Sequence, residues 1–545
     1  MEKWQTKEQL TELLYELVKI PSVSGSQAEK EFPEFVIHKL SELDYFKENP
    51  AQLNKVPTED GRFFISAFVR AQRPIEQTVI LFSHFDVVDV QDYGKWKEFA
   101  FDPETLTNQF YDEKEKLPKE VLDDLNTGNW LFGRGIMDMK SGLALHLSLI
   151  EAACDGRFEG NVLLISIPDE EVNSVGMRAA VPYLLQLKKK YKLEYTAAVN
   201  SEPMFSLYPG DRNNYIYTGS IGKVMPGFMC YGKETHVGEP FSGLNGNLMS
   251  SFVTAEIELN TDLCDYDEGK AAPPPSNLIQ KGLKESYSVQ IPHRSVTLFN
   301  LFLLERSIEE VTDLLKEKAS LAAAKIEVLY REQAERYASA TGSAATKHKV
   351  RVLTFEELVS YARQNLGEER IQKIVDTLIA QRGEKDDREI SIQIVDQLAI
   401  LCKALAPMIV LFYTPPFYPA VQSHHRPLIQ ETVTKVQKLA QTNYQTELIE
   451  QHYFSGISDL SYIGMPAKRT SMKELTSNTP IWGHGYSIPF DAMEQLSVPV
   501  LNLGPIGRDA HQWTERLDAD FAFGPLKELL TISVQELLTK KRRSE

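Results

Sequence analysis

Apolar residues in the N-terminal part of the chain recur with two different spacings. Leu10, Leu13, Leu14 and Leu17 lie three or four positions apart, which predicts a helix over residues 7–18. Short apolar runs with a break at each end predict strands instead. The segments predicted in these ways are helices at 29–40, 141–153 and 177–187, and strands at 63–69, 78–83, 162–167 and 195–200. Strands that alternate with helices indicate an α/β domain with a mixed, largely parallel sheet and helices on both faces.

The pattern changes near residue 214. Gly219 and Gly222 interrupt a strand-like segment, which is typical of a point where the chain crosses into another domain. Helical spacing then dominates residues 307–405. We therefore predict a first domain formed by residues 1–213 and 423–545, and an inserted α+β domain at 214–422 that is enlarged by this helical block.

Length and charge narrow the class of protein. A chain of 545 residues is too long for one ordinary core, so two or more domains are expected. With 59 basic and 76 acidic residues, the formal net charge is −17. An acidic surface repels phosphate backbones, so we expect no nucleic-acid partner. The basic run at 540–543 is interpreted as a solvated tail.

Features that direct a protein to a membrane or a secretory route are not found in the sequence. The N-terminus opens into a helix pattern without an apolar signal segment. The apolar stretch at 404–413 is too short to cross a bilayer and contains a proline. Four cysteines at positions 154, 230, 264 and 402 match no metal or redox spacing, which is typical of buried thiols in a reducing compartment. The prediction is a soluble, cytoplasmic protein with no membrane partner.

Residue types that can bind zinc occur at five places along the chain, and three of these places lie just after an apolar run. In open α/β sheets, ligands bind outside the carboxyl ends of the strands, where side chains from distant segments converge. Imidazoles and carboxylates are ligands that zinc takes. The candidate residues are His84 and Asp86, Asp138, Glu170 and Glu171, Glu202, and His511.

Each of these positions also has an ordinary structural explanation. A single His-x-Asp arises often by chance, and Glu170-Glu171 belongs to an acidic run that is typical of a surface turn. Asp138 is also suited to cap a helix, and His511 alone resembles a hydrogen-bonding loop histidine. Two adjacent glutamates, however, can divide two tasks, since one binds metal while the other moves a proton. The whole ordered set therefore carries the prediction.

The ordered set resembles the zinc-dependent amidohydrolases that include aminoacylases, carboxypeptidase G-type enzymes, acetylornithine deacetylase and succinyl-diaminopimelate desuccinylase. The matching segments are SHFDVV around His84, GRGIMDMKSG around Asp138, PDEE at Glu170, SEP at Glu202, and GP…AHQWTE around His511. The resemblance covers nearly all of the first domain.

The resemblance implies a role for each candidate. Asp138 would bridge two zinc ions per chain, with cobalt or manganese as alternatives. One ion would be held by His84 and Glu202, the other by Glu171 and His511. Glu170 would act as general base and then acid, and Asp86 would orient His84.

The inserted domain corresponds in this family to a lid that often forms a homodimer. His236, in the segment GKETHVGEP, resembles the lid histidine that stabilises the tetrahedral intermediate. Two features depart from the family: an insertion at about 93–130, and the helical block at 307–405. The chain length and the segment FSGISDLSY at 454–462 resemble an arginine utilization protein within the family, which suggests a link to arginine catabolism.

The predicted function is metal-dependent hydrolysis of an amide bond in a small amino-acid derivative. An N-acyl-amino-acid deacylase and a dipeptidase or carboxypeptidase need the same metal centre, and both stay open at this point. His424, His425, Arg508 and the loop at 482–485 with His484 are candidates for lining the substrate pocket, although a structural role suits each better. The alternative from another class is a binding or regulatory protein that keeps the fold without turnover.

Overall fold

The computed structural model describes residues 2–208, 210–284, 286–463 and 472–539. The basic run at 540–543 lies outside these residues. Within them the chain forms two compact units: a first unit of residues 2–221, 420–463 and 489–539, and a second unit of residues 222–419 and 472–488.

The β-strands, in chain order, are β1 (Leu53–Pro57), β2 (Phe63–Val69), β3 (Gln77–His84), β4 (Trp130–Phe132), β5 (Asn161–Ile167), β6 (Glu194–Asn200), β7 (Tyr215–Tyr217), β8 (Gly219–Ser220), β9 (Gly222–Tyr231), β10 (Tyr266–Asp267), β11 (Lys270–Ala271), β12 (Ser276–Gly282), β13 (Arg294–Leu303), β14 (Arg351–Thr354), β15 (Met408–Tyr418), β16 (Val421–Gln422), β17 (Ile449–Gln451), β18 (Val500–Asn502), β19 (Gly507–Arg508) and β20 (Arg516–Asp518). The α-helices are α1 (Lys7–Val18), α2 (Gln27–Ser41), α3 (Asp44–Glu48), α4 (Pro103–Asp112), α5 (Lys119–Leu125), α6 (Ser141–Cys154), α7 (Val175–Tyr191), α8 (Gly246–Ile257), α9 (Ile308–Thr341), α10 (Phe355–Leu366), α11 (Glu368–Ala380), α12 (Asp387–Leu401), α13 (Pro427–Tyr444), α14 (Lys473–Ser477), α15 (Phe490–Leu496), α16 (Ala519–Phe521) and α17 (Lys527–Thr539).

The first unit is built on an eight-stranded sheet in the order β1-β2-β5-β3-β6-β18-β7-β17. Its centre is parallel, because β3 pairs in parallel with β5 and β6, and β6 pairs in parallel with β18. The outer strands β1 and β2 run antiparallel. The predicted mixed, largely parallel sheet is confirmed.

Strand β2 shows why helices cover both faces of this sheet. Successive side chains of a strand point to opposite faces. Ile65 and Ala67 belong to the main apolar core, together with residues of α1, α2, α6 and α17. Phe64 lies on the other face and packs against Tyr183 of α7, with ring centroids 5.4 Å apart. The core strands are therefore almost wholly buried, as their continuous apolar runs predict.

The second unit contains a five-stranded sheet in the order β12-β13-β9-β15-β14. The predicted helices of the block at 307–405 are present as α9 to α12. Capping boxes begin two of them, since Ser307 and Glu310 cap α9, and Thr354 and Glu357 cap α10. These local signals explain why the helical pattern could be recognised from spacing alone.

The bounds of the two units differ from the predicted domains. The unit boundaries lie at 221/222 and 419/420, whereas 213/214 and 422/423 were predicted. Residues 472–488, which we assigned to the first domain, belong to the second unit. Long-range hydrogen bonds hold them there: Tyr413 N–H donates to Asn478 O at 2.8 Å, and Phe417 N–H donates to the Tyr486 hydroxyl at 2.9 Å. Nothing in the local spacing of residues 472–488 indicates these partners.

Two further predictions concern membranes and cysteines. Among the described residues, no helix combines the length and apolar character that a membrane span requires. All four cysteines are free thiols, and three of them are buried.

Candidate metal centre

Three adjacent strand ends position the candidate side chains. β3 lies between β5 and β6 in the sheet and ends at His84. Glu202 follows the end of β6 by two residues, and Glu170 and Glu171 follow the end of β5. Parallel strands present their carboxyl ends at the same edge of a sheet, so these side chains converge as predicted.

The loop residues Asp138 and His511 complete the group. The two oxygens of Asp138 face different histidines: Oδ1 lies 3.2 Å from His84 Nε2, and Oδ2 lies 3.3 Å from His511 Nε2. Glu202 Oε1 lies 3.6 Å from His84 Nε2, and Glu171 Oε1 lies 3.0 Å from His511 Nε2. Asp138 therefore stands between two pairs of side chains. We call these five residues the metal centre.

The metal centre fits divalent metal ions. Two ligand atoms on one tetrahedral zinc ion, each about 2.1 Å from it, lie about 3.4 Å apart. The distances above span this value. Glu202 Oε1 is also fully buried and has no hydrogen-bond partner among the described residues, a costly arrangement that a bound cation would relieve. His84, Asp138 and Glu171 offer ligand atoms that all lie within 4.8 Å of one another.

The electrostatics of the centre follow from burial. Burial raises the pKa of Glu202 well above its usual value, and it raises the pKa of Glu171 as well. Burial alone would lower the pKa of His511, but hydrogen bonds with Asp138 and Glu171 raise it to about 11. The same opposition acts on His84, whose pKa is raised well above its usual value by the charge of Glu202 and by Asp138. The two histidines thus hold protons that a metal ion would displace.

Asp86 supports the centre in a way that the sequence analysis did not foresee. His84 Nδ1 lies 3.0 Å from the main-chain carbonyl of Asp86 and 3.5 Å from its carboxylate. The carboxylate also accepts hydrogen bonds from the backbone N–H groups of Glu170 at 3.1 Å and Glu171 at 3.3 Å, and from the Ser24 hydroxyl at 2.7 Å. Asp86 therefore fixes the turn that carries both glutamates.

Glu170 is buried at the same edge of the sheet. Burial raises its pKa well above the usual glutamate value, and the charges of Asp459 and Glu171 add to this, while His84 opposes it. A carboxyl group whose pKa is raised is a stronger base than an ordinary glutamate, which suits a general base that later acts as an acid.

A second group of charges, buried except for Asp60, lies behind the Glu170 turn, and no local pattern in the sequence indicates it. Arg62 donates to Asp169 Oδ1 at 2.9 Å and to both oxygens of Glu29 at 3.1 Å. Its Nε also donates to Asp60 at 2.8 Å. Asp169 directly precedes Glu170 and has a φ of 69°. We call Glu29, Asp60, Arg62 and Asp169 the arginine cluster.

Another missed pair links the two loops of the centre. Arg134 Nη1 donates to Glu515 Oε2 at 2.7 Å, and both side chains are buried. Glu515 Oε1 also accepts the backbone N–H of Met137 at 3.3 Å. These contacts fix the loop that carries Asp138 against the loop that carries His511. Both residues stood in quoted motifs, but nothing in their spacing revealed that they pair.

His236, the predicted lid histidine, lies in the second unit. Its side chain is exposed, and its Nδ1 accepts the backbone N–H of Gly238 at 3.1 Å. Asp459, which we quoted only as part of a family-like segment, lies in the first unit and is fully buried; burial raises its pKa to about 8.

Comparisons with known proteins show what this chain resembles. The model of the peptidase family M20/M25/M40 matches residues 80–521. The uncharacterized protein YqjN of Bacillus subtilis (strain 168) is 46% identical over 535 residues, which cover 98% of this chain and 97% of that protein. Protein RocB of the same organism is 32% identical over 548 residues, which cover 98% of this chain and 96% of RocB.

A solved structure shows the same fold. It is the M20 family metallo-carboxypeptidase Sso-CP2 from Sulfolobus solfataricus, with a TM-score of 0.54 and 13% sequence identity. The match covers 97% of this chain and 99% of that chain.

Proposed function

Because this chain belongs to the peptidase family M20/M25/M40 and is a metal-dependent amidohydrolase, we propose that it cleaves the amide bond of a small amino-acid derivative. The substrate is an N-acyl amino acid or a dipeptide. One observation carries the proposal: Asp138 stands between two ligand pairs, with one oxygen toward each histidine.

We assign two zinc ions to the metal centre, with cobalt or manganese as alternatives. His84 and Glu202 would hold one ion, Glu171 and His511 would hold the other, and Asp138 would serve both. Bound there, the ions polarise the scissile carbonyl and lower the pKa of water.

Glu170 moves the proton in this proposal. Its carboxylate takes a proton from the attacking water and delivers it to the departing amine nitrogen. The raised pKa supports this role, since the carboxyl keeps the proton long enough to pass it on. Asp86 keeps the Glu170 backbone in place. His236 is assigned to the oxyanion of the tetrahedral intermediate; its exposed side chain is available to a substrate.

The narrower form of the proposal is a substrate from arginine catabolism. The identity with RocB along nearly the whole chain favours this form. Acetylated and succinylated amino acids, including those of arginine and ornithine, and unblocked dipeptides make up the panel that separates a deacylase from a peptidase. Hydrolysis of the acylated compounds alone identifies a deacylase.

We further propose a homodimer that forms through the second unit, in a cytoplasmic protein. β12 lies at the edge of its sheet with mostly exposed side chains, and an edge strand offers unpaired backbone groups to another copy. Free cysteines suit a reducing compartment. Sedimentation of the chain at several concentrations tests the dimer.

The first experiment is metal content per chain, measured by elemental analysis on wild type, Glu170→Gln and Glu159→Gln. Glu159 is an exposed glutamate of the first unit and serves as the matched control. About two ions per chain are expected in all three proteins. Glu170→Gln is expected to lose turnover by a factor of about 10²–10⁴. Full turnover in that variant would remove Glu170 from its role.

A further inference from the structure

Strands β19 and β20 place two arginines side by side. Arg508 lies directly opposite Arg516 in this antiparallel ladder, so their side chains share one face. Like charges in this position destabilise a strand pair unless acidic groups compensate them. The compensation is very different for the two residues.

Arg516 is fully neutralised. Its Nε and Nη2 donate to Asp124 Oδ2 at 2.9 and 2.6 Å, and its Nη1 donates to Asp509. The side chain is buried, with 2% of its surface exposed. Two carboxylates thus compensate the charge of this buried guanidinium.

Arg508 has no such partner. Its one hydrogen bond among the described residues runs from Nη1 to the main-chain carbonyl of Gly507 at 2.9 Å, and it forms no ion pair within that part of the chain. The side chain is half-buried. Burial lowers the pKa of Arg508. The charges of Asp124 and Asp211 oppose this shift without contacting the guanidinium, whereas those of Arg516 and Arg212 add to it.

The acids near Arg508 are already occupied. Asp124 serves Arg516 and also accepts Arg212 Nη1 at 3.2 Å. Asp211 accepts the backbone N–H of Leu207 at 2.9 Å and the Tyr215 hydroxyl at 2.7 Å, together with two N–H groups of Asn213. The half-buried cation of Arg508 therefore lies opposite that of Arg516, while Asp124 and Asp211 are bonded to other groups.

We propose that Arg508 is the binding residue of an anion site that accepts a carboxylate. The planar guanidinium offers two parallel N–H donors, which match the two oxygens of a carboxylate. The carboxylate comes either from the substrate or from a separate small acid. Only three peptide units separate Arg508 from His511, so their Cα atoms lie at most about 11 Å apart. The substrate form of this inference rests on the proposed function.

Thermal unfolding of the metal-loaded chain tests the site itself. Sodium acetate is compared with sodium chloride at equal ionic strength, on wild type, Arg508→Met and Arg212→Met. Arg212 is the matched control, since its side chain is 60% exposed and already paired with Asp124. Acetate is expected to raise the Tm of wild type and Arg212→Met more than that of Arg508→Met. Acetate that binds at the metal centre would shift the Tm of all three proteins equally. The difference between the variants therefore measures acetate binding at Arg508.

Chloride alone supplies a second readout. Arg508→Met is expected to be at least as stable as wild type, because a cation opposite Arg516 is removed. A structural arginine would instead lose stability on this change. If Arg508→Met does not fold, Arg508→Lys replaces it. Lysine keeps the positive charge but lacks the two parallel N–H donors, so acetate is expected to raise its Tm less than that of wild type. Equal acetate responses in wild type and the variants would overturn the proposal.

Kinetics separate the two sources of the carboxylate. The panel substrate that is hydrolysed is compared with its carboxamide on wild type and Arg508→Met. A substrate carboxylate predicts a KM for the free acid about tenfold or more higher in Arg508→Met, with kcat unchanged and the amide unaffected. A separate acid predicts equal KM values while the acetate difference persists. Wild type that hydrolyses no panel compound rejects the proposed function, yet the acetate comparison still decides the site.

Discussion

The metal centre and the arginine cluster are made of the same kinds of buried acids but are neutralised differently. In the arginine cluster, the guanidinium of Arg62 lies 2.9 Å from Asp169 and 3.1 Å from Glu29. An arginine stays charged at every working pH. The ion pairs of the three acids of the metal centre, within the described chain, go to histidines. The cation of the arginine cluster is permanent, whereas histidines can exchange their protons for a metal ion.

The largest expected effect comes from Asp138→Asn. This change removes the charge that stands between both ligand pairs, so both ions are expected to bind much more weakly. Turnover is expected to fall by a factor of about 10⁴ or more, since general-base catalysis alone accounts for 10²–10⁴. Metal titration and steady-state kinetics measure the two effects.

The stability of metal-free Asp138→Asn sharpens the comparison. The metal-free centre carries several acids in a small volume, so removing one charge is expected to leave the unfolding free energy unchanged or higher. A large loss of stability in the metal-free variant would mean that Asp138 has a structural role like that of the arginine cluster.

The arginine cluster is expected to respond in the opposite way. Arg62→Met leaves Glu29 and Asp169 buried without their cation, which costs about 3–5 kcal/mol of unfolding free energy. Denaturant unfolding of the metal-free chain measures this loss. Arg363→Met is the control, because Arg363 forms an exposed pair with Glu368 and is expected to cost about 1 kcal/mol or less.

A double variant tests the reason for that loss. Adding Glu29→Gln to Arg62→Met removes one of the acids left without a partner, so part of the lost stability is expected to return. If the double variant is less stable than Arg62→Met, the cost arises from lost packing of the arginine stem rather than from uncompensated charge.

The contrast between the two clusters also explains what sequence could predict. His84, Glu170 and Glu202 each follow an apolar run, and such runs are local signals that identify a strand end without knowledge of its neighbours. Their convergence then follows from the parallel sheet. The arginine cluster joins Glu29 and Arg62 to a residue more than a hundred positions further along, at no recognisable spacing. Only the packing of α2 against the sheet brings these segments together.

Other features that the sequence did not predict also depend on contacts between distant segments. The opposition of Arg508 and Arg516 depends on strand register, which no local pattern fixes in a two-residue strand. Residues 472–488 join the second unit through hydrogen bonds to β15. Asp86 was expected to act on His84, and it contacts that histidine; its carboxylate also holds the Glu170 turn, which the spacing did not indicate. Each depends on contacts between segments far apart in sequence.

Acidification is expected to weaken the metal centre while Arg62 stays charged. A histidine binds metal only after losing its proton. The pKa of His511 is raised to about 11 without metal, so protons compete with metal below that pH, and more strongly as pH falls. Affinity is expected to fall about tenfold per pH unit for each proton displaced. Metal titrations between pH 8 and pH 6 measure this slope.

Two histidine variants identify the protons. His511→Gln is expected to reduce the slope by about one proton. His38→Gln is expected to leave it unchanged, since His38 is exposed on α2 and pairs with Glu42. An unchanged slope in His511→Gln would mean that another group supplies the proton.

The smallest expected effect is a difference in metal affinity between alanine variants of Ser22 and Ser24, which lie in one loop. The Ser24 hydroxyl donates to Asp86 Oδ2 at 2.7 Å, whereas the Ser22 hydroxyl donates to the main-chain carbonyl of Phe85 at 2.6 Å. Each alanine variant loses the hydrogen bond just named, at about 0.5–1.5 kcal/mol for a neutral acceptor and somewhat more for a charged one; Ser24→Ala also loses a longer contact of 3.4 Å to the main-chain carbonyl of Val87. Only Ser24→Ala is expected to weaken metal binding, by about tenfold, because support around a metal ligand tunes its affinity. Equal metal affinities in the two variants would show that Asp86 is held firmly enough by the Glu170 and Glu171 backbone, and that the metal centre depends on fewer supporting contacts than the arginine cluster does.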